Sequence, residues 1–430
     1  AWWGFDPQDA TAALQSAIDS GAKKVIVEDT GKPWIVAPIR LADDQEIVFE
    51  KGVVVQAKRG EFKGKGDSLL SASGQKNITL TGHGATLRMW KQDYDDPAKY
   101  AKAEWRHVLC LRSCANVSVS GLILADSGGD GIYLGVSRRG VPCSDVTIRD
   151  VVCDNNYRQG ISVISARNLL IDKCVLKDTG GTAPMAGIDF EPNHESEELV
   201  HCVMRNCLSQ NNKGDAYTFY LPNLTEKSRP VSIRIEDCTS IGCRTSARIV
   251  TDRDGVGPRG GSIEFVNCTF RDSERSAIAL HDKPQAGPRL RFDRCRVVNP
   301  APGQPQTPPI LLAGRARQAG PLRSIDFVDC VVEDKLGRTP MAYQDHASGL
   351  GLAEITGTII LLRDGKRSTH PLTPQQIQQW MPHKVFKPYP AFDLGGVRFE
   401  PAGGDASVKD QCAPRQRGAS KWMLYGQAGK

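Results

Sequence analysis

The sequence predicts an all-β fold, a parallel β-helix in which each repeat is one coil of a solenoid, and three observations predict it. One phrase recurs, an apolar residue, two mostly polar residues and then cysteine: Ile171-Asp172-Lys173-Cys174, Met204-Arg205-Asn206-Cys207, Ile235-Glu236-Asp237-Cys238, Phe265-Val266-Asn267-Cys268, Phe292-Asp293-Arg294-Cys295 and Phe327-Val328-Asp329-Cys330. The steps between these cysteines are 33, 31, 30, 27 and 35 residues, a variable period of the length expected for one coil. Between the phrases lie short strand-like runs without helical periodicity, broken by Gly and Asn at the corners.

An elongated repeat also suits the size of the chain. At 430 residues and 40% hydrophobic content an ordinary globular chain would divide into domains, whereas a solenoid adds coils that each pack only on their neighbours. The 55 Lys and Arg against 49 Asp and Glu leave +6, spread along the chain without the dense basic runs of a nucleic-acid arm, so acidic partners are slightly favoured. No run approaches ~18 consecutive apolar residues, so no transmembrane helix is expected. The first residues, Ala1-Trp2-Trp3 with no Met, read as a mature chain freed of a signal peptide, hence secreted or periplasmic, although a chain cut there by other means looks the same.

Taken in order, residues 1–24 read as an N-terminal cap, with Asp9 capping a helix over residues 10 to 20. Ala13, Leu14, Ala17 and Ile18 share its inner face and Gly21 stops it, a lid for the open edge of the first coil. Residues 25–365 read as the β-helix, whose early coils replace the cysteine in Leu80-Thr81-Gly82-His83, Val119-Ser120-Gly121-Leu122 and Ile148-Arg149-Asp150-Val151. Residues 366–430 read as a C-terminal cap and tail: Thr373-Pro374 starts a helix carrying Ile377 and Trp380 and ending before Pro382, and the rest is expected to pack along the coils. The 13 cysteines contain no C-x-x-C pair, and the six in the phrase are expected to stack in an inward column rather than hold zinc. Cys110, Cys114, Cys143, Cys153, Cys202, Cys243 and Cys412 lie off that column, with their pairing open.

A second set of strands lies upstream of the phrases: Leu109-Cys110-Leu111-Arg112, Ile132-Tyr133-Leu134-Gly135, Ile161-Ser162-Val163-Ile164, Ile188-Asp189-Phe190-Glu191, Tyr217-Thr218-Phe219-Tyr220, Ala247-Arg248-Ile249-Val250 and Ile278-Ala279-Leu280-His281. With side chains alternating between faces, first and third members point in while second and fourth point out. The outer face then gathers Tyr133, Ser162, Asp189, Glu191, Tyr220, Arg248 and His281. Asp189 and Glu191 stand side by side on it, expected in water, with backbones ~6.6 Å apart, a workable separation for an acid and a base. Asp130, Arg158, Gln159 and Asp215 precede these strands, and His194 sits in a turn after one of them. Aromatic residues Trp90, Tyr94, Tyr100 and Trp105 mark an insertion from Arg88 to Arg106 that serves either to stack on sugar rings or to glue a loop to the coil.

The column of strands, the opening Asp9-Ala10-Thr11-Ala12-Ala13-Leu14-Gln15-Ser16-Ala17-Ile18-Asp19 and the phrase Leu80-Thr81-Gly82-His83-Gly84-Ala85-Thr86-Leu87 resemble the pectate-lyase-like right-handed β-helix superfamily of polysaccharide lyases and glycoside hydrolases, over residues 5 to 365. Polygalacturonases of that superfamily carry Asn-Thr-Asp, Asp-Asp, Gly-His-Gly and Arg-Ile-Lys in that order. Here Gly82-His83-Gly84 comes before every candidate carboxylate and reads as a turn, Arg248-Ile249 is followed by Val250, and both acidic motifs are missing. The leading expectation is a glycoside hydrolase acting on a polysaccharide, with Glu191 as general acid and Asp189 as base or nucleophile, the sequence leaving open which carboxylate takes which role. Asp130, Tyr133, Arg158, Gln159, His194, Asp215, Tyr220, Arg248 and His281 are the expected substrate-binding residues, and no cofactor is required. The alternatives are a lyase or epimerase acting on uronic acids, in which Asp189, Glu191 and Asn193 would hold Ca²⁺, and a non-catalytic glycan-binding solenoid. Arg248 is expected either to bind an anionic group of the substrate or to pair with Asp189 or Glu191.

Overall fold

The computed structural model describes residues 3–253, 255–284, 286–314, 322–345 and 354–381, together with two short strands at 391–393 and 398–400. Successive coils stack their strands in parallel, as an 11-stranded sheet on one side and a 21-stranded sheet that wraps the rest. A representative coil runs through Gln159–Val163 in the smaller sheet, then Ala166–Asp172 and Val175–Lys177 in the larger, before Ala186–Phe190 begins the next.

The recurring phrase is the corner between the two large-sheet strands. The residue before each cysteine has left-handed backbone, with φ of 55° at Lys173, 55° at Asn206, 52° at Asp237, 53° at Asn267, 51° at Arg294 and 50° at Asp329. Asn and Asp tolerate that conformation better than most residues, so they recur there. The cysteine that follows turns inward, and its thiol reaches the carbonyl of the apolar residue one coil back: Cys207 Sγ to Ile171 O at 3.8 Å, Cys268 to Ile235 at 3.4 Å, Cys295 to Phe265 at 3.4 Å and Cys330 to Phe292 at 3.3 Å. The twelve described cysteines are buried free thiols, and Cys412 lies outside the described residues. A phenylalanine stack fills the core beside them: Phe190 on Phe219 at 5.0 Å, Phe265 on Phe292 at 5.1 Å, and Phe292 on Phe327 at 5.2 Å.

The first helix spans Thr11–Asp19 and buries Leu14, Ala17 and Ile18, with Gly21 beyond it at φ 76°. Asp9 does not occupy the cap position itself. Its carboxylate accepts the Thr11 N–H (3.0 Å) and pairs with Lys58 (2.6 Å), while Ala10, the cap residue, donates its N–H to Ile35 O (2.7 Å). Gly82-His83-Gly84 is not a turn either. It lies inside the strand Lys76–Arg88, where the pairing jumps from Thr81 opposite Ser120 to Ala85 opposite Leu122, a bulge. At the far end, Ile355–Arg363 and Lys366–Pro371 pair antiparallel, so the expected boundary at 365 falls in a hairpin turn and the larger sheet continues past it. The helix Pro374–Trp380 follows, with the Thr373 side chain accepting the Gln376 N–H at 3.2 Å. The expected tail lies outside the described residues, apart from the antiparallel pair Ala391–Asp393 and Arg398–Glu400.

Candidate active site

The smaller sheet sets the outer column in the register Cys110, Tyr133, Ser162, Asp189, Thr218, Arg248, Ala279, each opposite the next. This is the alignment the sequence predicts. Tyr133 therefore lies two coils before Asp189, ~10 Å away by strand spacing. His281 pairs with Val250, which pairs with Tyr220, so it stands three coils beyond Glu191, ~14 Å off.

The carboxylate pair is not in water. Asp189 is 0% exposed and Glu191 4%. Gln159 Nε2 donates to Asp189 Oδ2 at 2.8 Å, while its Oε1 accepts the Ala186 N–H at 3.0 Å, so the amide is held at both ends. Arg158 Nη2 donates to Glu191 Oε2 at 3.1 Å; its Nη1 lies 3.9 Å from Asp130 Oδ2 and its Nε 3.9 Å from Glu104 Oε2. His107 Nδ1 accepts the Asp130 N–H at 3.0 Å, lies 3.2 Å from Asp130 Oδ2, and its ring stacks on Tyr133 at 4.7 Å.

Two glycines bring Glu104 and His107 here. Arg106 forms an antiparallel bridge with Gly128, and a Cβ on Gly129 would meet Arg106 N, Glu104 O and His107 Nδ1, each at 2.9 Å, so only glycine lets the insertion return this close. Arg106 anchors the insertion, fully buried, with Nε donating to Phe62 O at 2.9 Å and Nη2 to Ala101 O at 3.0 Å. Tyr94 and Tyr100 pack edge to face at 4.9 Å beneath it and are buried, so these two act as glue. Trp105, by contrast, is 45% exposed.

Burial above all, then the charge of Glu191, pushes the Asp189 carboxyl well above the usual carboxylate range. Burial also raises Glu191, but the Arg158 guanidinium works against that rise. Burial and the neighbouring charge thus favour a proton on Asp189, while Arg158 favours the negative charge on Glu191. Burial disfavours the charge on Arg158, yet carboxylates around it, Asp130, Glu191 and Glu104 among them, outweigh that and keep it cationic. Both oxygens of Asp130, Asp189 Oδ1, Ser162 Oγ and His107 Nε2 are buried without a hydrogen bond inside the protein. Buried polar groups rarely stay so, and their convergence gives this patch unused capacity for hydroxyl groups or water.

One coil on, Asp215 takes an ion pair from Arg244 Nε at 3.2 Å and lies 3.8 Å from Arg248 Nη1, while Thr218 Oγ1 donates to it at 3.5 Å. Arg248 thus pairs with Asp215, and the guanidinium that holds Glu191 is that of Arg158. Tyr220 Oη accepts from Arg253 Nη1 at 3.3 Å. His194 belongs to its turn: its Nδ1 lies 2.9 Å from Ser196 Oγ, and its N–H donates to Glu197 Oε2 at 3.0 Å. Glu104, His107 and Arg244 join this candidate cluster, and strand alignment alone does not reveal them, because the first lies in the insertion without period, the second just past it and the third at a corner. Among the described residues no three His, Cys, Asp or Glu side chains converge as metal ligands would, and Asn193 is exposed while Asp189 is sealed. No described helix is long and apolar enough to cross a membrane.

A family model described as right handed beta helix region matches residues 102–255, and no curated protein matches the chain by sequence. Among solved structures, a hyperthermoactive exopolygalacturonase from Thermotoga maritima is similar at 12% identity and TM-score 0.57, over 85% of this chain and 90% of that one. A mannuronan C-5 epimerase A-module from Azotobacter vinelandii is similar at 13% identity and TM-score 0.57, over 83% and 92%. A family 28 exopolygalacturonase from Yersinia enterocolitica is similar at 12% identity and TM-score 0.53, over 83% and 73%. At such identities the likeness is one of fold. With the family model over residues 102–255, it shows the fold to be a right-handed parallel β-helix.

Proposed function

We propose that the protein is a glycoside hydrolase acting on a polysaccharide, with Asp189 and Glu191 as its acid and base. The observation that carries this reading is the buried carboxylate pair on one strand face, with Gln159 on Asp189 and Arg158 on Glu191. Two such groups with separated proton affinities supply an acid and a base at the same pH. The directions of the two shifts favour the opposite assignment to the expected one: Asp189 would give its proton to the glycosidic oxygen, and Glu191, held ionised by Arg158, would take one from water. Asp130 and Ser162, whose oxygens are unsatisfied, would bind sugar hydroxyls. The folds similar to this one include named polygalacturonases, which supports a polysaccharide substrate and, with it, action outside the cytoplasm.

Asp189→Asn and Glu191→Gln should each abolish the release of new reducing ends from a polysaccharide panel without lowering the melting temperature, and full activity in both would sink the assignment. Mass analysis of the products separates this from the second reading, a lyase or epimerase acting on uronic acids, since hydrolysis adds water and elimination leaves ultraviolet-absorbing ends. The second reading is favoured by one feature, the two guanidinium groups of Arg244 and Arg248 gathered around Asp215 one coil away, where a sugar carboxylate could be neutralised.

A further inference from the structure

The insertion that closes the carboxylate site has a second side. There it meets the ends of the strands Val54–Ala57, Lys76–Arg88 and Val152–Asp154 and leaves a cavity of about 290 Å³. That is close to the lower limit of ~300 Å³ for small-molecule pockets, a fit for one sugar ring. Three cations in the lining, Arg59, Arg88 and Lys91, outnumber two carboxylates, Asp93 and Asp126. Asp93 is already paired, with Arg59 at 3.3 Å and with Lys99 at 3.6 Å.

The cationic groups are positioned yet not used up. Lys91 Nζ donates to Asn155 Oδ1 at 2.7 Å and to Asn156 O at 3.2 Å, two of its three hydrogens. Arg88 spends only Nε, on Gln56 Oε1 at 2.6 Å, which leaves its terminal nitrogens. Trp90 is fixed by donation from Nε1 to Ala57 O at 2.6 Å, and the Arg59 guanidinium carbon lies over its ring, 3.8 Å from the centroid. A fork held against an aromatic face is preorganised for a planar or tetrahedral anion. Asn155 stands three residues before Arg158, so the cavity begins within ~11 Å of the arginine that grips Glu191.

We propose that this cavity is a subsite for one acidic sugar residue, its carboxylate or sulfate group bound by Lys91 and Arg88 and its hydroxyls by Gln92 and Asp126. The inference rests on the reading of the substrate as a polysaccharide and adds to it the sign of the substrate's charge and a contact away from the reacting bond.

Ligand-observed NMR titration of the full chain tests it, with D-galacturonate, galactose 6-sulfate and D-galactose as probes. At least one acidic sugar should bind tenfold or more tightly than galactose, and whichever does so separates carboxylate from sulfate recognition. Lys91→Gln and Arg88→Gln should each weaken that binding at least fivefold while galactose binding and the melting temperature stay unchanged. Equal affinity for acidic and neutral sugars, or acidic-sugar binding untouched in both folded variants, overturns the subsite. Asp189→Asn should leave this binding intact. A protein that binds galacturonate through Lys91 but cleaves no polysaccharide would therefore end the hydrolase reading and keep the subsite, and cleavage without such binding would end the subsite alone.

Discussion

Burial and the adjacent charge of Glu191 both penalise the ionised form of Asp189, and that has a consequence for stability. In the unfolded chain an aspartate loses its proton near pH ~3.9. Above that pH the folded protein binds one more proton at this position than the unfolded chain, so stability attributable to Asp189 is full below it and is lost as pH rises toward the raised folded value. Asp189→Asn keeps the shape, still accepts from Gln159 and carries no charge. The variant should therefore gain in stability relative to the parent as pH rises from 4 to 8, by denaturant midpoints, and a gap that stays constant or narrows would place the proton elsewhere. At this scale the sequence was half legible. The alternation of Ile188, Asp189, Phe190 and Glu191 puts two carboxylates on one face, but it cannot say that the face is covered, because the cover comes from Arg158 and from the stretch that ends in Glu104 and His107.

Among the elements, the apolar-x-x-Cys phrase was readable from the sequence because three of its four positions have separate duties. The first lends its carbonyl to the next coil, the third turns the corner with positive φ, and the fourth fills the interior. A second column was present in the sequence but has no chemistry to announce it. Gly131, Gly160 and Gly187 each precede a site strand's first inward residue, and Ala216 follows in the next coil. A Cβ on Gly160 would meet Gly187 O at 2.5 Å, and one on Gly187 would meet Ala216 O at 2.8 Å. These are backbone contacts that no side-chain rotation relieves. Gly160→Ala should thus destabilise the fold by about 1–3 kcal/mol in a urea melt, and would also tilt Gln159 away from Asp189. A neutral effect would mean that the coils can part at this point. The bulge at Gly82-His83-Gly84 escaped prediction for a related reason: glycines signal a departure from regular strand, and sequence does not tell a turn from a bulge.

Across the whole molecule, the cysteines are structural filling spread over the coils. Burial raises the Cys110 thiol to about 11 and the Cys143 thiol to about 12, so the reactive thiolate is scarce as well as inaccessible. A chromogenic disulfide reagent should leave the twelve described thiols unmodified in the native protein and titrate them only in denaturant, all at one transition; fast native reaction at several of them would contradict the inward column. The stacking that hides them has no internal reason to end, because every coil presents to the next the same backbone template that it received from the one before. At the N-terminal edge Gln15 answers that template. Its amide donates to Arg40 O at 3.0 Å and accepts the Arg40 N–H at 2.9 Å, the two groups that an incoming strand would claim, while Gln45 Nε2 closes the helix by donating to Ile18 O at 3.0 Å. The helix Thr11–Asp19 is in that sense a growth terminator on a one-dimensional crystal, and one glutamine side chain helps make the protein a finite particle instead of the first segment of a fibre.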